Sequence, residues 1–184
     1  MEPVELPPMK SDEEIAAIKA SKAKWACTGH KLDYANRAWI QPGQWNTQIM
    51  QAENEKAAAL YASWEKDLQV EQYMVEDAEV VIAAYGVSAR IGKSVVDLCR
   101  AEGKKVGLIR PITVHPFPRA SFENINYDIC KGVLDVEMSI PAQFVEDVRM
   151  GVKGRCPIET CLCSGGNIMS REAVLKAVDD ILAK

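Results

Sequence analysis

Histidine is nearly missing from this chain, and so are long apolar runs and blocks of basic charge. Each scarcity removes a class of function. The two histidines, His30 and His115, stand far apart among 184 residues. No Ser/His/Asp or Cys/His triad assembles around either of them. No apolar run approaches the roughly 18 residues of a membrane span. With no basic block and a formal net charge of −4, the chain lacks the electrostatic footprint of a nucleic-acid or acidic-membrane binder. The opening MEPVELPPMKSDEE has neither the basic nor the apolar region of a signal peptide, so the cytoplasm is the expected location. Six cysteines at 27, 99, 130, 156, 161 and 163 match no disulfide framework and form no C-x₂-C-x₂-C run of the iron–sulfur kind. Cys161 and Cys163 are the one close pair. On a strand they share a face, but a metal would need further ligands, so structural thiols and no bound metal are expected.

What is present is concentrated in residues 76–118, EDAEVVIAAYGVSARIGKSVVDLCRAEGKKVGLIRPITVHPFP. A buried strand over Val80–Tyr85 enters a turn at Gly86–Ser88. A helix over about Ala89–Ala101 follows, then a tight turn at Gly103 and a second buried strand over Lys105–Ile109. This is a β-α-β unit with a parallel strand pair. Its turn comes close to the phosphate loop G-x-x-x-x-G-K-[ST], because Gly92-Lys93-Ser94 supplies the second half. The first glycine falls at 86 instead of 87, however, and Val87 resists the positive φ that such a loop demands. The favoured reading gives Gly86 the strand-to-helix turn, makes Lys93 a solvated helix lysine, and lets Gly92 pack closely on the sheet.

Elsewhere the patterns are plainer. Pro3, Pro7 and Pro8 keep the start extended. Ser11-Asp12-Glu13-Glu14 is a capping box for a helix to about Ala20. Residues 21–46 show neither helical nor strand period and hold Trp25, Trp39 and Trp45. This arm is expected to wrap the surface or to be buried against another subunit. Thr47 is expected to cap one amphipathic helix reaching about Met74. After the second strand, Arg110-Pro111 breaks the ladder. Gly132–Met138 reads as a third strand, Gln143–Met150 as a short helix, and Arg155–Cys163 as a fourth strand. Ser164–Asn167 is a loop, and a last helix opens at Ser170. The expected organisation is an amino-terminal arm over 1–75 and an α/β domain over 76–184, a three-layer α/β/α sandwich.

Ligands of such sheets sit outside the carboxyl ends of parallel strands, at a switch point. Gly86, Ser88, Arg110, Glu137 and Ser139 are expected there, as a possible anion or ligand crevice. Arg110 and Glu137 either pair across neighbouring strand ends or handle a substrate carboxylate and a proton; the ion pair is the favoured reading. His115, in VHPFP, suits packing or an interface. No catalytic residue is named.

Several stretches together carry a family resemblance: Trp25-Ala26-Cys27-Thr28-Gly29, the 76–118 block with Arg110–Pro118, Val136-Glu137-Met138-Ser139, Gln143–Arg149, and Gly165-Gly166. Their order and spacing resemble the carboxyl-terminal part of the α subunit of 2-oxoacid:ferredoxin oxidoreductases, closest to the 2-oxoisovalerate (3-methyl-2-oxobutanoate) type, over nearly the whole chain. The resemblance implies a transketolase carboxyl-terminal-like domain with a mostly parallel sheet and one antiparallel strand. It implies a subunit-packing role in a complex that oxidatively decarboxylates a 2-oxoacid to an acyl-CoA. That complex uses thiamine diphosphate, Mg²⁺ and iron–sulfur clusters, none of which is assigned to residues of this chain. Other subunits, further copies of the chain, ferredoxin and CoA are the implied partners, with no nucleic acid and no membrane. Family α subunits also carry an amino-terminal thiamine-type domain, so a fragment or a separately encoded half is expected. His115 stands where the family often has Trp, and Pro141-Ala142-Gln143 where it has a Gly-Gln pair. The competing readings are a stand-alone small-molecule or anion-binding module and the equivalent domain of a 2-oxoacid dehydrogenase β subunit.

Overall fold

The computed structural model describes residues 5–23, 26, 27, 29, 43 and 45–184. Trp25, His30 and Trp39, and with them most of the Trp-rich arm, lie outside the described residues. Two compact units divide the chain, residues 1–55 and 56–184.

In the first unit, helix α1 (Asp12–Lys22) starts on the expected capping box. Ser11 Oγ accepts the Glu14 N–H at 3.2 Å, and Glu14 Oε2 accepts the Ser11 N–H at 2.8 Å. Helix α2 (Thr47–Ser63) begins there and ends in the second unit. Its cap is Asn46 rather than Thr47: Asn46 Oδ1 accepts the N–H groups of Gln48 and Ile49 at 3.0 and 3.1 Å. Neither helix buries a single residue.

The helix expected to reach Met74 stops at Ser63. A 3₁₀ turn over Trp64–Asp67 follows, and then strand β1 (Val70–Tyr73). The reason is tertiary. Val70 to Tyr73 pair antiparallel with Pro111 to Leu108 of strand β3 (Val106–Pro111). The long-range ladder overrides the local helical period.

The sheet has five strands in the order β1-β3-β2-β4-β5, where β2 is Val80–Ala84, β4 is Gly132–Glu137 and β5 is Ile158–Leu162. All neighbouring pairs but β1–β3 are parallel. Strands β2 and β4 are buried throughout, and for that reason VVIAA is apolar without alternation. Helices α3 (Gly86–Ala101) and α5 (Arg171–Leu182) cover one face. There Val95, Val96, Cys99, Val174, Val178 and Ile181 meet Ile82, Leu108 and Leu134. Helix α4 (Val145–Val152) and a 3₁₀ turn over Arg119–Asn124 cover the other. There Phe122, Val148 and Val152 meet Val81, Ile109 and Val133. This is the three-layer α/β/α sandwich with one antiparallel strand.

Gly92 serves the packing role expected of it. A Cβ there would meet Ile82 Cγ2 at 3.2 Å and Leu108 Cδ1 at 3.5 Å. Lys93 is not the solvated lysine of the sequence reading. Its ammonium sits 2.6 Å from Glu71 Oε1 on the edge strand and 4.8 Å from the Tyr73 ring centroid.

Candidate functional site

The sheet order locates the switch point. The chain leaves β2 for α3 on one face and leaves β4 for α4 on the other, so the loops part between the carboxyl ends of β2 and β4. In open α/β sheets this is where ligands bind. Gly86 and Ser88 follow β2, and Glu137 and Ser139 close β4. Those four residues lie at the two strand ends that flank the switch point.

Arg110 does not join them. It lies on β3, with β2 between it and β4. Its guanidinium Nη1 is 3.0 Å from Glu71 Oε2. The expected Arg110–Glu137 pair is thus replaced by an Arg110–Glu71–Lys93 cluster on the edge strand. Hydrogen bonding from Lys93 is the chief reason that the Glu71 carboxyl is held below its ordinary range, with Arg110 assisting and partial burial opposing. The partner was missing from the sequence reading because β1 was.

At the crevice itself, helix α3 starts earlier than expected, at Gly86, whose φ of +56° only glycine adopts cheaply. The Glu137 side chain is turned inward and is 1% exposed. Its Oε1 accepts the N–H of Gln143 at 2.8 Å and that of Phe144 at 3.1 Å, and its Oε2 accepts the Ser139 hydroxyl. The carboxylate thereby fastens the β4–α4 connection at the start of α4, where a helix dipole favours negative charge. Phe144, held by that grip, sets its ring 5.0 Å from Tyr85 and 5.8 Å from Phe117, centroid to centroid. An aromatic contact thus bridges the β2 and β4 ends of the crevice.

Beneath Glu137 lies a residue that sequence reasoning missed. Asp135 is two positions back on the same strand, so both side chains point to the α4 face. It is fully buried, and among the described residues neither carboxyl oxygen has a hydrogen-bond donor. Burial pushes its pKa up to about 8, with Glu137 adding to the shift and Arg149 opposing it. Burial also acts to raise Glu137, but Ser139, the Phe144 N–H, Asp135 and the Gln143 N–H outweigh it and hold that carboxyl low. An acid on a strand buried on both faces has no solvent to ionise into, but GVLDVEM by itself does not declare that burial.

The remaining candidates lie away from this crevice. The His115 ring lies edge-on to Tyr61 and Trp64 at 6.3 and 6.0 Å. It borders a groove of about 720 Å³ that Phe117, Arg119 and Asp147 also line. Cys161 Sγ touches Met169 Sδ at 3.6 Å, and Cys163 Sγ faces the Asn167 carbonyl at 3.5 Å. Among the described residues, no three His, Cys, Asp or Glu side chains gather to hold a metal ion.

Residues 78–174 match the model of pyruvate:ferredoxin oxidoreductase core domain II. The chain belongs to that family. Core domain II here includes β2 through the first turn of α5, and with them the whole β2–β4 crevice. Over 117 residues, 64% of this chain and 32% of its relative, it is 42% identical to the ketoisovalerate oxidoreductase subunit VorB of Methanothermobacter marburgensis. It is 26% identical over 114 residues to the 2-oxoglutarate synthase subunit KorA of the same organism, covering 62% of this chain and 30% of that one. The chain spans about a third of the length of these curated relatives. The solved structure of 2-oxoglutarate:ferredoxin oxidoreductase from Magnetococcus marinus, with 2-oxoglutarate, coenzyme A and succinyl-CoA bound, superposes with a TM-score of 0.64. The superposition covers 82% of this chain and 28% of that one, at 20% identity, and bears on the fold alone.

Proposed function

We propose that this chain is a scaffold domain of a 2-oxoacid:ferredoxin oxidoreductase of the branched-chain type. The full complex would oxidatively decarboxylate 3-methyl-2-oxobutanoate to its acyl-CoA and pass the electrons to ferredoxin, with thiamine diphosphate, Mg²⁺ and iron–sulfur clusters held by other parts. The branched-chain assignment rests on the ketoisovalerate oxidoreductase relatives. The proposed location is the cytoplasm; no helix among the described residues is long and apolar enough to cross a membrane.

One observation carries the scaffold role. The rim of the carboxyl edge, where an active site would open, is apolar and exposed. Tyr85, Val87, Ile112, Val114, Met138, Ile140 and Ile168 all follow strand ends, at 38–74% exposure. The polar groups behind them are engaged within the domain, Glu137 by the β4–α4 connection and Arg110 by Glu71. Exposed apolar side chains that gather at one edge of a domain suit a protein contact surface. The anion-binding alternative is weaker, because two buried acids lie beneath the crevice that an anion would enter.

The partners of this rim are the other subunits of the complex, together with further copies of the chain. Sedimentation velocity of the chain alone and with the complementary subunits tests it. The double variant Ile140→Asp/Ile168→Asp, at positions 62% and 74% exposed, is expected to keep the thermal midpoint and to weaken association roughly tenfold or more, since buried charge at an interface core is unpaired. Association unchanged by both substitutions would sink the assignment of the rim.

A further inference from the structure

We propose that Asp135 and Glu137 act as one proton-holding pair, and that the proton on Asp135 is the latch that keeps the β4–α4 connection closed over the β2–β4 crevice. The geometry leaves Asp135 fully buried and, among the described residues, without a hydrogen-bond partner. Across the sheet its register neighbours are Ala83 on β2 and Thr160 on β5. Among the described residues no donor reaches either of its oxygens. Glu137, two residues on, already accepts two N–H groups and a hydroxyl. Two carboxyls on one face of a fully buried strand do not both ionise readily, so one of them keeps its proton. Glu137 is the stabler anion, held by those three donors, so the proton stays on Asp135.

The charges around the pair do not relieve it. Arg149 on α4 is the cation that acts on Asp135, and it is itself paired with Glu146 one turn earlier. From β5 the titratable group that feels Asp135 is Cys161, whose thiol is pushed up by burial and further by Cys163 and Asp135. On the 3₁₀ turn, Glu123 is taken up by Lys153 and Arg155. When hydroxide removes the Asp135 proton, the product is two buried carboxylates on one strand face, which Arg149 offsets only in part. Their repulsion acts on Glu137, and through it on the N–H groups of Gln143 and Phe144. Phe144 is the residue that meets Tyr85 across the crevice. The expected consequence is a connection that loosens in mildly alkaline solution and exposes the crevice.

The test is a carboxyl-carbon NMR titration of the intact chain, paired with thermal unfolding between pH 6 and pH 9. Asp135 is expected to titrate near pH 8, with amide protection at Gln143 and Phe144 falling over the same range. The native state keeps a proton that the unfolded chain releases above its ordinary aspartate range. Stability is therefore full in acid and lost as pH rises through the folded value. Asp135→Asn supplies a permanent donor, so its thermal midpoint should stay level from pH 6 to 9 and exceed that of the wild type at pH 9. If Asp135 titrates below pH 5, or if the midpoints of the Asp135→Asn variant and the wild type fall in parallel, the latch is wrong. Should the variant fail to fold, the wild-type titration decides alone.

Discussion

Replacing Gly107 by Ala is expected to cost about 3 kcal/mol of stability or more, the largest effect of any single methyl group added to this domain. A Cβ at Gly107 would lie 2.5 Å from the Met74 carbonyl oxygen and 3.0 Å from Val75 Cα. Both obstacles are backbone, so no rotamer change relieves them. Nor is the obstructing segment free to move. Met74 holds φ at +53°, and its carbonyl accepts Arg100 Nη2 at 2.7 Å. The same guanidinium bonds both Asp77 oxygens and the Val106 carbonyl. Overpacking a core by itself costs about 1–3 kcal/mol. Pulling Met74 from Arg100 would add the loss of a charged hydrogen bond, about 1.5–3 kcal/mol. Urea unfolding of the variant checks it, and Gly154→Ala is the control. Gly154 has φ of +72° with nothing near an added Cβ, so only backbone strain of about 1 kcal/mol is expected.

Phe122→Ala should come next, at about 3–5 kcal/mol. Phe122 is the largest of the fully buried side chains. It stacks 5.6 Å from Phe117 and leaves no room at Gly151, where a Cβ would fall 2.6 Å from its ring. Glycine near the end of α4 lets that helix approach the aromatic ring. Removing the ring therefore opens a cavity between the helix and the sheet that rigid neighbours cannot fill. The denaturant midpoint should fall with an unchanged slope, because compactness of the unfolded chain is not altered. The chain of rings from Phe122 through Phe117 to Phe144 should carry part of the loss to the crevice. Loss of the Tyr85 near-ultraviolet circular dichroism in the folded variant reads this out.

How much of this was legible depended on whether a residue's role was local. The VVIAA strand, the helix after it and the VGLIR strand could be read directly, since a fully buried parallel strand is a plain apolar run bounded by turns. Ser11 and Glu14 likewise declare a helix start within four residues. Val70-Glu71-Gln72-Tyr73 could not be read. Four residues at the end of a helix-forming stretch become a strand only because β3 offers an antiparallel edge. Losing β1 also lost Glu71, and so gave Arg110 the wrong partner. The crevice was half legible. Gly86 and Glu137 announced themselves by falling at strand ends, whereas Asp135 was hidden by its neighbours. In a strand with a polar face an aspartate is unremarked; the burial that isolates Asp135 comes from α4 and the 3₁₀ turn, which are assembled from elsewhere in the chain.

On the proposed reading, the carboxyl edge of this domain is a packing surface rather than a cofactor site. Isothermal titration of the purified chain with thiamine diphosphate and Mg²⁺, up to millimolar concentration, tests it most directly. The account predicts no heat of binding and no rise in thermal midpoint. At a hundredfold excess over Kd, a bound ligand would contribute about 2.7 kcal/mol, a shift no melting curve would miss. Saturable binding with a micromolar Kd, abolished by substitution at Ser88 or Ser139, would contradict it.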